Sequence, residues 1–279
     1  MASEVFRDGL LDGQVAIVSG AGSGLGRAIA LELAALGARV TICGRRLEPL
    51  EETAALAAGA IECVSCDIRE EDQVAALVDG VLERDGRIDL LVNNAGGQYM
   101  SGAEDITPKG FRTVMRLNVE GTWLMTHAVA TKAMIPAGAG KVVSITLSPH
   151  QGMPGMAHSS AARAAVENLM RVLSIEWARH GIKLNAIAAG QFATETLLTK
   201  YPKPIVEGMA STVPAQRLGR VEEIAWLVAY LASPAGDFTA GTVLTVDGGR
   251  DNWEGVWPTG ATADPTGKPL AEARRQADT

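Results

Sequence analysis

Seven short, β-branched apolar runs punctuate the chain, and their rhythm constrains the fold more than any other feature. They read QVAIVSG (14–20), ARVTICG (38–44), AIECVSC (60–66), IDLLVNN (88–94), KVVSITL (141–147), IKLNAIA (182–188) and TVLTVDG (242–248). Each is separated from the next by a stretch of helical pattern. Strands that are apolar at nearly every position must be covered on both faces, which in an alternating strand–helix chain means a parallel sheet. The predicted fold is therefore α/β: a single Rossmann-type doubly wound parallel sheet of about seven strands with helices on both faces.

At 279 residues and 47% hydrophobic content the chain can bury one large core. No break in composition divides it before about residue 250. The expected organisation is one domain over 1–250 and a C-terminal tail over 251–279. Within the domain, ETLLTKYPKPIVEGMASTVPAQRLGR (195–220) interrupts the alternation with prolines and mixed polarity, as a lid would. A helix is expected over 158–179, with an apolar stripe of Val166, Leu169, Met170, Leu173 and Trp177 ending before Gly181.

A net charge of −7 provides no basic stripe for a phosphate backbone, so no nucleic-acid partner is expected. The start, MASEVFRDGLLDG, lacks the apolar core of a signal peptide, and no apolar run approaches the ~18 residues of a membrane span. A soluble, cytoplasmic protein without a membrane partner is the expectation. Cys43, Cys63 and Cys66 are too few for a disulfide framework, and in a strand the Cys63 and Cys66 side chains point to opposite faces. They read as buried small residues rather than as a redox or metal site, and no metal is expected.

The chemistry begins after the first run, in SGAGSGLG, which opens a helix. Gly20, Ser23, Gly24, Leu25 and Gly26 form the kind of loop whose glycines let a pyrophosphate approach the backbone. The free N–H groups of the helix start complete such a site. At the end of the second run, the place where a carboxylate would hold a ribose 2′-hydroxyl carries Gly44, followed by Arg45 and Arg46. A guanidinium binds a 2′-phosphate and a carboxylate repels it, so NADP is the expected cofactor. Asp67, followed by Ile68, is placed to accept from an adenine amine or to cap the next helix. NNAGGQ (93–98) follows the fourth run, where Asn94, Ala95 and Gly96 would pass close to the cofactor.

Taken together, Gly20, Gly24, Gly26, Asn93 to Gly96, Asn118 and Asp247 to Gly249 resemble the pattern of the short-chain dehydrogenase/reductase superfamily over residues 12–250. Within it the chain looks most like peroxisomal trans-2-enoyl-CoA reductases and less closely like 2,4-dienoyl-CoA reductases. That likeness rests on VFRDGLLDGQVAIVSG, NNAGGQYMSGAEDIT, HSSAARAAVENL and VDGGR with a Trp-containing stretch after it. The tripeptide usual at the C-terminus of the peroxisomal members is replaced by QADT.

The resemblance implies a tyrosine and a lysine four residues apart on the active-site helix, and here those positions hold Ser159 and Arg163. In carbonyl reductases the tyrosine protonates an alkoxide while the lysine lowers its pKa. Serine is too weak an acid for that, and arginine stays charged at any working pH. Reduction of a double bond conjugated to a thioester asks less, because the developing enolate oxygen needs hydrogen-bond donors and the α-carbon can take its proton from water. The resemblance thus implies Ser159 at the substrate oxygen, Arg163 at the cofactor ribose, Asn118 as an organiser of its helix and a water, and a second hydroxyl 12 or 13 positions before Ser159. Those two positions hold Leu147 and Thr146, of which only Thr146 bears a hydroxyl; Ser148 lies one further off. His158 would contact substrate or cap its helix. Gly190 and Thr194 keep the spacing for the nicotinamide carboxamide although Ala189 replaces a proline.

The function expected is thus an NADPH-dependent reductase of 2-enoyl thioesters. An alcohol or ketone oxidoreductase with a rearranged donor set, and a non-catalytic NADP-binding regulator, are the alternatives. Excess apolar residues on the helices around 111–133 and 158–179 predict a homotetramer.

Overall fold

The computed structural model describes residues 3–200 and 202–253. The expected tail therefore lies outside the described residues beyond Trp253. Seven parallel strands form one sheet: β1 (Val15–Ser19), β2 (Arg39–Gly44), β3 (Ile61–Ser65), β4 (Leu90–Asn93), β5 (Gly140–Leu147), β6 (Ile182–Ala189) and β7 (Val243–Val246). Their order is β3-β2-β1-β4-β5-β6-β7. The seven apolar runs are the seven strands.

Among the described residues, ten α-helices fill the crossovers: α1 (Gly24–Ala35), α2 (Glu48–Ala55), α3 (Glu71–Asp85), α4 (Pro108–Met115), α5 (Gly121–Val129), α6 (Ile135–Ala137), α7 (Ala157–Trp177), α8 (Glu195–Lys200), α9 (Lys203–Ser211) and α10 (Val221–Ala232). Alternation along the strands splits the core. Ala16 and Val18 pack with Ile29 and Leu33 of α1 and with Ile224 and Val228 of α10. Val15 and Ile17 pack on the other face with Val74 and Leu77 of α3, Met125 of α5 and Met170 and Leu173 of α7. Truncating a fully buried residue in either layer, Leu33 or Met170, should cost about 2–5 kcal/mol.

α4, α5 and α6 form one nearly continuous rod, joined by π-helical turns at Arg116–Glu120 and Ala130–Met134. At the first turn, side chains replace the backbone donors that a wider turn displaces: Asn118 Nδ2 donates to Val114 O at 2.8 Å and Thr122 Oγ1 to Asn118 O at 2.8 Å. α7 ends one 3₁₀ turn before Gly181, whose left-handed φ of 70° stops the helix as its position suggests. The region expected as a lid contains two helices, α8 and α9, and a bridge ties Phe192 to Gly219 at its base. No residue of α9 is buried.

Candidate active site

The strand order reverses between β1 and β4, and the loops that diverge there leave a crevice at the C-terminal ends of the strands. A cavity of about 410 Å³ fills it. On its nucleotide side the wall is Gly20 and Ser23 from the loop before α1, Leu25 and Gly26 from its first turn, Arg45 after β2, Asp67 and Ile68 after β3, and Asn94, Ala95 and Gly96 after β4. On the other side stand Thr146, Leu147, Arg163 and Gly190, with Gln98 and Leu117.

Glycine is required where backbone and side chains crowd. A Cβ on Gly26 would collide with the Gly20 carbonyl and the Asn94 amide. One on Gly96 would lie 2.5 Å from Arg163 Nη2 and 2.7 Å from Asn118 Oδ1. Asn94 is turned away from any ligand: its Nδ2 donates to the carbonyls of Ser19 and Gly20 at 3.0 Å each, clamping the glycine loop. Ser19 Oγ accepts from the N–H groups of Asn94 and Ala95 at 3.1 Å. The loop and the turn after β4 are thus one rigid cradle with its backbone facing the crevice. Such a cradle, open at a helix N-terminus, fits a dinucleotide pyrophosphate.

Arg45 and Arg46 are both exposed, and among the described residues neither guanidinium is paired with a carboxylate. They border a groove that continues the crevice between Gly22 and Pro49. Arg46 borders the groove and not the crevice itself. Asp67 does not cap a helix, because α3 starts later, with Glu70 at its N-cap. Its two oxygens are engaged by Arg69, at 2.8 Å to Nε and 2.5 Å to Nη2. That pairing, with Arg45 adding to the field, holds its carboxyl at about 2. Gly24 and Thr194 stand just outside the crevice, close enough that a Cβ on Gly24 would meet the Thr194 side chain, and Thr194 Oγ1 accepts from Leu197 N at 3.3 Å at the start of α8.

The catalytic candidates fall in different places. Arg163 lines the crevice, its Nη1 donating to Ile145 O at 2.9 Å. Desolvation pulls its pKa down to about 10, so it is still a cation at neutral pH. Asn118 is wholly buried and does not line the crevice. Its Nδ2 donates to Gly97 O at 2.9 Å and its Oδ1 accepts from Gly97 N at 3.3 Å, which fixes the turn after β4 to the π-helical turn. Thr146 borders the crevice, but its hydroxyl donates to Glu167 Oε1 at 2.9 Å. The Ser148 hydroxyl donates to Asp247 Oδ2.

Ser159 has no exposed surface, and its Oγ donates to Gln98 Oε1 at 3.2 Å. The side chain that lies between Ser159 and the crevice is Gln98, which the sequence reading passed over. Its only signal is its place immediately after the small-residue turn. His158 is buried too: Nδ1 accepts from Ser159 N at 2.9 Å, its ring meets Tyr99 edge-on at 4.4 Å, and Nε2 has no hydrogen-bond partner among the described residues. It does not line the crevice, and its bond to Ser159 N satisfies a first-turn donor of its own helix. Of the cysteines, Cys43 and Cys66 are buried and Cys66 lines the crevice. Among the described residues no cluster of His, Cys, Asp and Glu is placed to hold a metal ion, and no helix is long and apolar enough to cross a membrane.

A doubly wound sheet with a glycine-rich cradle at its switch point defines the class: a nucleotide-binding oxidoreductase fold. The family follows from comparison with known proteins. The sequence pattern described as Enoyl-(Acyl carrier protein) reductase matches residues 20–251. A probable 2,4-dienoyl-CoA reductase of Bacillus subtilis is 33% identical over 89% of this chain and 100% of its own length. Gluconate 5-dehydrogenase of Gluconobacter oxydans is 37% identical over 86% of this chain and 95% of its own. Among solved structures, a citronellol catabolism dehydrogenase of Pseudomonas aeruginosa superimposes with a TM-score of 0.80 at 41% identity, covering 88% of this chain and 98% of that one. The chain belongs to the short-chain dehydrogenase/reductase family and is an oxidoreductase that uses a nicotinamide cofactor, NAD or NADP.

Proposed function

We propose that the protein is an NADPH-dependent reductase of 2-enoyl thioesters. The observation that carries this is the donor set at the substrate end of the crevice: an amide, Gln98, backed by the buried hydroxyl of Ser159, beside the fixed cation Arg163. None of these is an acid able to protonate an alkoxide at neutral pH. Each can stabilise negative charge that grows on an oxygen. The cofactor's contribution, when bound, is a hydride to the β-carbon. Ser159 accounts for one lone pair of Gln98 Oε1, which leaves the Gln98 amide hydrogens to donate to the thioester oxygen as it becomes an enolate. Ser159 thus acts through Gln98. Arg163 is assigned to the ribose hydroxyls, and the carbonyl of Ile145 holds it there. Thr146 supports the same wall.

NADP is preferred to NAD because Arg45 and Arg46, which pair with no carboxylate among the described residues, border the groove beyond Gly44. The names of relatives agree with an acyl thioester substrate, since several are 2,4-dienoyl-CoA reductases. Exposed Phe111, Trp123, Val172 and Ile175 on α4, α5 and α7 support assembly, which we assign to a cytoplasmic homotetramer. Light scattering at micromolar concentration checks it, and a 29 kDa species would refute it.

Stopped-flow oxidation of NADPH with matched panels of trans-2-enoyl-CoAs and ketones tests the reaction. Turnover with the thioesters is expected. Turnover with ketones alone would establish the second chemistry instead, and none with any panel member would point to a regulator that only binds the cofactor.

A further inference from the structure

Behind Thr146 lies a second polar cavity of about 110 Å³, bounded by His150, Ser160, Arg163 and Glu167 with Leu147 and Pro149. Glu167 is the anomaly there. Its side chain is 6% exposed, on α7, one turn after Arg163. A glutamine could make the same bond to Thr146 without bringing a charge into the interior. Its partners form a line. Thr146 Oγ1, on the crevice wall, stands 2.9 Å from Glu167 Oε1; that oxygen stands 3.3 Å from His150 Nε2; and the His150 side chain is 30% exposed. Asp251 orients the imidazole from outside, with Oδ2 2.5 Å from Nδ1 and Oδ1 accepting from His150 N at 2.6 Å. Asp247 in turn holds the Asp251 backbone at 2.7 Å.

We propose that His150 and Glu167 form the proton entry of the active site, a hydrogen-bonded relay that carries a solvent proton to the Thr146 hydroxyl at the crevice wall. This rests on the reductase reading. Reduction of the double bond adds a hydride at the β-carbon and a proton at the α-carbon, and neither Ser159 nor Arg163 supplies that proton. The enolate electron pair forms the new Cα–H bond as the Thr146 O–H bond breaks. The Thr146 oxygen takes a proton from Glu167, whose resting carboxylate has first been neutralised by the proton of the His150 imidazolium, and solvent reprotonates His150. Once Glu167 is protonated, the 2.9 Å contact runs the other way: the acid donates, Thr146 accepts, and the hydroxyl hydrogen is freed from Glu167, its other acceptor in the fold being the Ile187 carbonyl at 3.4 Å. Burial opposes charge on His150, but the Asp251 hydrogen bond and the fields of Glu167 and Asp251 outweigh it and raise the imidazole above its ordinary value. Arg163, across the cavity, is the opposing cation.

Two measurements decide this. The first is NMR titration of the His150 ring without substrate, its signal assigned by its loss in His150→Gln from among four histidines. The midpoint should lie above the ordinary value and fall in Glu167→Gln and Asp251→Asn. A midpoint that Glu167→Gln leaves unmoved would overturn the relay, whatever the enzyme reduces. The second is the pH profile of enoyl-CoA reduction at saturating NADPH. Wild-type turnover should fall at high pH as His150 loses its proton. His150→Gln should lose that limb and about tenfold in kcat, with rescue by added imidazole, and Glu167→Gln should lose about 10² with NADPH affinity kept. An unchanged alkaline limb in His150→Gln contradicts the proposal. If the wild type reduces no thioester at all, the reductase reading fails while the NMR result still stands or falls for the line itself.

Discussion

The two halves of the crevice are built by different means. The nucleotide half is made of backbone: glycines where a Cβ has no room, and the side chains of Ser19 and Asn94 spent on bracing the loops rather than on facing a ligand. The substrate half is made of side chains: Gln98 on Ser159 and Thr146 on Glu167. Backbone cradles tolerate almost any reaction above them, so the fold is shared with a gluconate dehydrogenase and a dienoyl-CoA reductase alike. The chemistry is decided by the few side chains on the other side.

If that division is right, substitutions in the substrate half should strike turnover and those in the nucleotide half should strike binding. The largest effect is expected at Gln98. Gln98→Ala should lower kcat by about 10²–10³, the usual result of losing one oxyanion donor, with NADPH affinity unchanged. Single-turnover kinetics check it, and a variant that lost affinity for NADPH in parallel would erase the distinction between the halves. Next is Arg45→Ala, which should weaken NADPH binding by about 1.5–3 kcal/mol and leave NADH binding unaltered. Fluorescence titration with both cofactors measures it, and equal affinities in the unmodified protein would contradict the preference for the phosphorylated form.

Ser159→Ala sharpens the comparison from within the substrate half. Because the hydroxyl sits behind Gln98, its loss should lower kcat only about tenfold, the scale of one neutral hydrogen bond. A loss as large as that of Gln98→Ala would mean that the hydroxyl itself reaches the substrate oxygen.

The smallest effect concerns stability in acid. The folded Asp67 carboxyl, held at about 2 by Arg69, lies below its ordinary 3.8. The stabilisation it brings is therefore complete above about pH 4 and lost as the pH falls toward 2. Asp67→Asn should flatten the acid limb of a melting-temperature profile in that window, and a profile that keeps its slope there would show the Arg69 pairing to be without consequence.

The same division explains what could be read from the sequence. All seven strands were legible because a parallel sheet covered on both faces forces continuous apolar runs, and the glycine cradle was legible because backbone constraints leave residue-type signatures. The positions of Ser159 and Arg163 were legible, but their surroundings were not. Gln98 meets Ser159 across 61 residues and His150 meets Asp251 across 101, and no local pattern announces contacts of that range. The π-helical turn at Asn118 was equally hidden, since the segment reads as ordinary helix. Asp67 was misread in part because its partner, Arg69, competes with the helix start for the carboxylate.

The central claim is that this donor set serves an enolate and not an alkoxide. It is tested most directly by product analysis after incubation with NADPH deuterated at the transferring position, using trans-2-enoyl-CoA and a matched ketone. The prediction is a saturated acyl-CoA carrying deuterium at the β-carbon and little alcohol from the ketone. Ketone reduction of equal or greater efficiency in the unmodified protein would contradict it.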